Sequence, residues 1–281
     1  MSVKITKLPG SEAEILGELP AEVFESHYVP ALQKVGEDVE IPGFRKGKAP
    51  ESVLLSHVGE MKVLEEMAQA ALSEEYPKIL EREKLDAIGA PMITITKLAR
   101  RNPLGFKIRT ALLPEVKLPD YKKIARGIKS EIEKEEKPTS EEEKNKASEK
   151  TRLKIIERII EESKIELPAL LAELELDKIL HKMEADISAM GLKFEDYLAH
   201  IKKTREDLRK ELRPDAEKKA KFSLILAEIA KVEKLEPSKE EVDREVAHIL
   251  EHYKDADPVR ARMHAENVLA NEKVFVLLES A

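Results

Sequence analysis

The sequence predicts an α+β domain at the N-terminal end followed by a larger, elongated all-α domain, with helix predominant throughout. Three observations lead there. Charged residues make up 37% of the 281 residues and aromatics only 4%, a balance that favours solvated helices over aromatic-rich β packing. Period-2 alternation is confined to the first 115 residues. Beyond them, apolar residues recur at helical spacing between short Pro- and Gly-marked breaks.

In order, "EAEILGEL" (12–19) alternates and reads as a strand. "PAEVFESHYVPALQKVG" (20–36) places Val23, Phe24, Leu32 and Val35 at helical spacing, with a kink or break expected at Pro30. "ESVLLSHVG" is a short helix, and "EMKVLEEMAQAALSEEYPKILEREKL" puts Val63, Leu64, Met67, Ala71 and Leu72 on one face, bent or split at Pro77. "PMITITKLA" and "LGFKIRTALL" alternate around "RRNPLG" and form a β-hairpin. Residues 1–115 are thus strand, helices and hairpin, the helices covering one face of a small antiparallel sheet.

Residues 116–150 leave that domain in an extended, then almost wholly charged segment, either a linker or the solvated start of a long helix. Ser140 with Glu143 has capping-box spacing, and Leu153, Ile156, Ile159 and Ile160 supply the following apolar stripe. Residues 151–281 carry the helical domain. "ELPALLAELELDKILHKMEADISAMG" begins near Pro168 and ends at Gly191, "KFEDYLAHIKKTREDLRKEL" is a further helix, and "RPDAEKKAKFSLILAEIAKVEKLE" is another with Pro214 early. "PSKEEVDREVAHILEHYKD" opens on a Ser238–Glu241 capping box, and "DPVRARMHAENVLANEKVFVLLES" closes the chain. From residue 116 on, about five or six helices and no convincing strand are expected.

Composition narrows function. The formal net charge of −7 limits any nucleic-acid contact to a local patch. With no cysteine, disulfides, thiol nucleophiles and thiolate metal sites are excluded. The N-terminus lacks the apolar core of a signal peptide and no stretch is long enough to cross a membrane, so the expectation is a cytoplasmic protein with no membrane partner. No P-loop and no G-x-S-x-G elbow is present, and no cofactor is expected.

Two short motifs stand out. His248, Glu251 and His252 match the H-x-x-E-H spacing of one metallopeptidase class, in which two imidazoles hold zinc and the glutamate activates water. That class takes a further acidic ligand from far downstream, and here only the stretch from Tyr253 to Ala281 remains. The expectation is therefore no metal site. The second motif is "IPGFRKGKAP" (41–50). It describes either a plain basic turn with Phe44 tucked into the core, or a rigid loop that presents Phe44 among Arg45, Lys46 and Lys48 to a partner. Gly43 and Gly47 allow the sharp turn, Pro42 and Pro50 limit the freedom lost on docking, and Arg45 can fork onto a carboxylate or phosphate.

"GFRKGKAP" matches the G-F-R-x-G-K-x-P signature of the trigger factor family, bacterial ribosome-associated chaperones. "YPKILEREKLDAIGAPMITI", "FKIRTALLPEVKLPDYKKI", "IELPALLAELELDKIL" and "ANEKVFVLL" resemble the family's N-terminal and C-terminal parts in order and spacing, so the likeness spans nearly the whole chain. It implies a ribosome-binding domain followed by a helical chaperone domain with arm-like projections. Phe44, Arg45 and Lys46 would dock on an exit-tunnel protein and rRNA of the large subunit, with Gly43, Gly47, Lys48 and Pro50 shaping or supporting that tip.

Unfolded or nascent polypeptides are the implied clients, and a homodimer off the ribosome is a further implied partner. Full-length members usually carry an isomerase domain of the FK506-binding type between the two parts. Here only the charged segment separates them, so prolyl isomerase activity is not expected and the chain is read as a chaperone rather than an enzyme. The alternatives are a ribosome-independent holdase like the periplasmic helical chaperones, and the zinc peptidase at His248, Glu251 and His252.

Overall fold

The structure is a computed structural model that describes residues 2–135 and 141–280. The chain divides into two units, the first ending at Leu113 and the second starting at Pro114.

The first unit is built on a four-stranded antiparallel sheet, order β1-β2-β4-β3, from β1 (Ser2–Leu8), β2 (Glu12–Leu19), β3 (Ala87–Lys97) and β4 (Leu104–Leu112). Its strand 12–19 and its hairpin are as the alternation predicts. β1 is an addition: Val3 and Ile5 alternate within a charged stretch, and Gly10 and Ser11 take the positive φ angles (74° and 51°) that a tight hairpin turn needs. Register then aligns Ile5, Ile15, Ile108 and Ile93 in one row across the sheet. The neighbouring row is Val3, Gly17, Phe106 and Ile95. Gly17 is glycine because a Cβ there would lie 2.7 Å from the Phe106 ring and 2.9 Å from Val3.

On the inner face lie α1 (Ala21–Ser26), α2 (Tyr28–Asp38), α3 (Glu51–Val58) and α4 (Glu60–Glu83). Phe24, Val35, Val63, Met67, Ala71 and Leu72 pack with Ile15, Leu19, Phe106 and Ile108 into one core. The buried Thr110 hydroxyl is met by the Tyr76 hydroxyl at 2.8 Å, so no polar group is stranded there. The outer face is wet and carries ion pairs between Glu14 and Lys107, Glu12 and Arg109, and Glu18 and Lys97. Helix coverage stops short of β3: Ile93 and Ile95 share the inner face yet remain 43% and 37% exposed.

Both prolines expected to interrupt helices act differently. The break falls at His27, three residues before Pro30, which places that proline in the first turn of α2 where its missing N–H has no partner to lose. α4 is not split at Pro77. The carbonyl that Pro77 leaves without its usual donor belongs to Ser73, which is exposed and open to water.

The second unit holds α5 (Tyr121–Glu135), α6 (Glu141–Glu162), α7 (Ala169–Ala189), α8 (Phe194–His200), α9 (Arg205–Glu233), α10 (Lys239–His252) and α11 (Pro258–Ser280). Two-residue strands β5 (Val116–Lys117) and β6 (Lys164–Ile165) also pair antiparallel, too short for alternation to reveal. The capping box expected at Ser140 and Glu143 lies outside the described residues and side chains. The stripe on α6 is Ile155, Ile156 and Ile159, while Leu153 faces solvent.

The single helix expected over 193–212 is two. Thr204 and Asp207 form a complete capping box that starts α9, which then runs unbroken past Pro214, with Lys210 exposed to let water take its carbonyl. That makes seven helices among the described residues from 116 on. The Ser238–Glu241 box on α10 is present with both reciprocal bonds. Ala125, Ile155, Ile159, Ile225, Ile229 and Val274 form one core of this unit, and Leu176, Leu180, Phe194 and Leu208 another.

Candidate functional site

Between α2 and α3 the chain makes two consecutive turns that use the glycines of "IPGFRKGKAP". The Phe44 amide donates to the Ile41 carbonyl at 3.1 Å with Gly43 at φ 84°, and the Lys48 amide donates to the Arg45 carbonyl at 2.9 Å with Gly47 at φ 71°. Positive φ at both third positions is the geometry that selects glycine. A third bond, from the Gly47 amide to the Gly36 carbonyl at 2.9 Å, fastens the loop to α2. Ile41 is buried and Ala49 packs against the core, so the ends are anchored while residues 42 to 48 are exposed.

Phe44 is 43% exposed at the tip and is not tucked into the core. The Lys46 ammonium lies 3.1 Å from the Glu40 carboxylate; both side chains are largely exposed, which makes the contact a weak, exchangeable one. Among the described residues no carboxylate pairs with Arg45 or Lys48. Pro50, extended at φ −58° and ψ 148°, leads into α3. The loop therefore presents one apolar ring beside an unpaired guanidinium and an unpaired ammonium, suited to a partner surface that mixes apolar and anionic groups.

Residues that sequence reasoning missed hold the root of this loop. The Tyr28 hydroxyl donates to Glu51 at 2.6 Å, and burial, reinforced by that carboxylate, pushes the Tyr28 pKa up. Above the Tyr28 ring, 3.5 Å from its centroid, lies the Arg100 guanidinium. Glu25 grips Arg100 through Nε at 3.0 Å and through Nη2, and also accepts the Arg101 amide at 3.2 Å. Arg100 holds the Glu25 carboxyl below the usual carboxylate range. Nothing in the local pattern around Tyr28 or Arg100 signals these contacts.

His248 and His252 are brought together on α10 with ring centroids 4.4 Å apart, and the His252 Nδ1–H donates to the His248 carbonyl at 3.0 Å. Among the described residues no group of three His, Cys, Asp or Glu side chains is arranged to hold a metal. No helix among the described residues is long and apolar enough to cross a membrane.

Comparison with known proteins places this loop in a context. The family profile described as bacterial trigger factor protein matches residues 1–151, and that of the bacterial trigger factor C-terminus matches residues 129–279. The two matches overlap, so no further domain lies between them. Trigger factor of Bacillus pumilus is 36% identical over 122 residues, which span 43% of this chain and 29% of that relative. Trigger factor of Bacillus subtilis is 22% identical over 390 aligned positions, covering 90% of this chain and 92% of the relative. That alignment exceeds the 281 residues of this chain by more than a hundred positions. A solved structure of the trigger factor chaperone, from work on promiscuous substrate recognition in folding and assembly, matches at TM-score 0.64 and 15% identity over 99% of both chains. With a profile of the family matching more than half of its length at either end, this chain belongs to the bacterial trigger factor family.

Proposed function

We propose that the protein is an ATP-independent chaperone that docks beside the exit tunnel of the large ribosomal subunit and shields nascent polypeptides from aggregation. Phe44, Arg45 and Lys46 make the contact, the ring seating on an apolar patch of a tunnel-exit protein and the cations on acidic side chains or rRNA phosphates. Gly43, Gly47, Lys48 and Pro50 shape or support the tip. Residues 1–115 carry docking, residues 116–150 lead away from it, and residues 151–281 hold clients. The observation that carries this reading is the exposed Phe44 on a doubly turned, backbone-bonded loop with unpaired cations beside it.

Holding is supported by apolar side chains left in solvent at helix junctions of the second unit. Met190 and Leu192 flank the turn after α7, and Tyr253, Val259 and Met263 lie around the turn between α10 and α11. Such scattered contacts are singly weak and sequence-tolerant, which suits transient capture of many chains. Prolyl isomerase chemistry is not part of the proposal, because the overlap of the two family matches leaves no span for that domain. A cytoplasmic setting and a homodimer off the ribosome complete the proposal. Sedimentation with ribosomes tests it: binding is expected at low salt and is expected to weaken as salt rises. Absence from the ribosome pellet at low salt would overturn it.

A further inference from the structure

We propose that Tyr28 and Arg100 are positioning residues of the docking loop, acting through Glu51 to hold the loop against α2; this rests on the docking reading above. The loop leaves α2 at its C-terminal end, yet the residue that follows it, Glu51, is bonded to Tyr28 at the first position of α2. Near the C-terminal end of α2, the Gly47 amide is bonded to Gly36. The return segment therefore lies alongside α2, antiparallel to it, and is pinned at both ends.

That segment is short. The four steps from Gly47 to Glu51 reach at most about 14 Å when fully extended. Pro50 is extended, and over so short a segment a displacement of Glu51 carries to Gly47 and so to the Arg45–Lys48 turn. Tyr28 sets where Glu51 sits, and its own ring is trapped between the core and the Arg100 guanidinium, which Glu25 holds in place. The Tyr28 hydroxyl is only a donor here, because Glu51 is acceptor-only when ionised. Burial, with the Glu51 carboxylate beside it, pushes the pKa of this phenol up.

The test separates positioning from packing. Tyr28→Phe keeps the ring, its burial and its stacking under Arg100, and deletes only the hydroxyl. Amide hydrogen exchange in the free protein is measured at Gly47 and Lys48, whose N–H groups make the loop bonds. Losing a hydrogen bond to a charged acceptor is expected to raise exchange at both amides about tenfold, with amides of α4 and the sheet unchanged.

Glu51→Gln retains an acceptor and is expected to restore most of the protection that Glu51→Ala loses. Arg100→Gln, which frees the ring, is expected to act in the same direction as Tyr28→Phe. Ribosome affinity is expected to fall with loop protection across the series. Unchanged exchange at Gly47 and Lys48 in Tyr28→Phe overturns the inference, and so does a loosened loop that binds ribosomes as tightly as before. Failure of the unaltered protein to bind ribosomes counts against the docking reading instead, since the exchange measurement needs no ribosome.

Discussion

Replacing Gly47 by alanine separates the loop's backbone geometry from its side chains. At φ 71° a residue with a Cβ sits in the left-handed region, at a cost of roughly 1–2 kcal/mol. The added Cβ would also lie 3.1 Å from Glu37 Cγ, but Glu37 is exposed and can swing aside, so the backbone term dominates. Gly43 gives the comparison: its φ is 84° and no atom lies within 4 Å of a Cβ built there, so Gly43→Ala carries the backbone term alone.

Both alanine variants should therefore lose similar amounts of loop order, roughly 5- to 30-fold in opening equilibrium at 1.4 kcal/mol per tenfold. Asparagine tolerates the left-handed region better than alanine, so Gly47→Asn should fall between alanine and glycine. The assay is hydrogen-exchange protection of the loop amides together with ribosome affinity, which falls by no more than the loss of competent loop population. Thermal unfolding should barely move, because only local bonds are affected. Protection and affinity equal to the unaltered protein in Gly47→Ala would refute the requirement for a left-handed turn.

Phe24 and Phe44 should part company in denaturant melts. Phe24 has no exposed surface, so Phe24→Ala is expected to cost about 3–5 kcal/mol, whereas Phe44→Ala should stay within about 0.5 kcal/mol; similar losses would place Phe44 in a core. In acid, Glu241 reports the α10 cap. The Lys273 ammonium at 2.8 Å and the Ser238 amide at 2.6 Å hold its pKa down at about 2, below its ordinary 4.5. A folded-state pKa lowered in this way adds stability above the unfolded value that is lost as pH falls from about 4.5 through about 2. Glu241→Gln should consequently show a shallower loss of stability over that range, and an identical slope would deny the cap its role. In a proline-limited refolding assay the protein should leave the slow phase unchanged, and clear acceleration would mean an isomerase site elsewhere in the chain.

How far the sequence led differs between the scaffold and the loop root. Strand 12–19 and the hairpin were legible because alternation in half-buried antiparallel strands is a direct imprint of the two sheet faces. β1 was not, since Val3 and Ile5 are only two apolar positions among charges, and their role depends on pairing with β2. Pro77 misled, because the cost of a proline inside a helix depends on whether the abandoned carbonyl can reach water, which is a property of the folded surface. At the site, Gly43, Gly47 and the prolines revealed a turn through local chemistry alone, which the structure resolves into two. Tyr28 meets Glu51 across 23 residues and Arg100 meets Glu25 across 75, and no local pattern records partners that only the tertiary fold brings together.

The most direct measurement is co-sedimentation with ribosomes at low salt of the unaltered protein and of a variant with Phe44, Arg45 and Lys46 all replaced by alanine. All three side chains are exposed, so the variant should unfold at the same temperature as the unaltered protein. The prediction is that the unaltered protein pellets with ribosomes and the triple variant stays in the supernatant. A triple variant that pellets as fully as the unaltered protein would contradict the claim that this loop is the docking element.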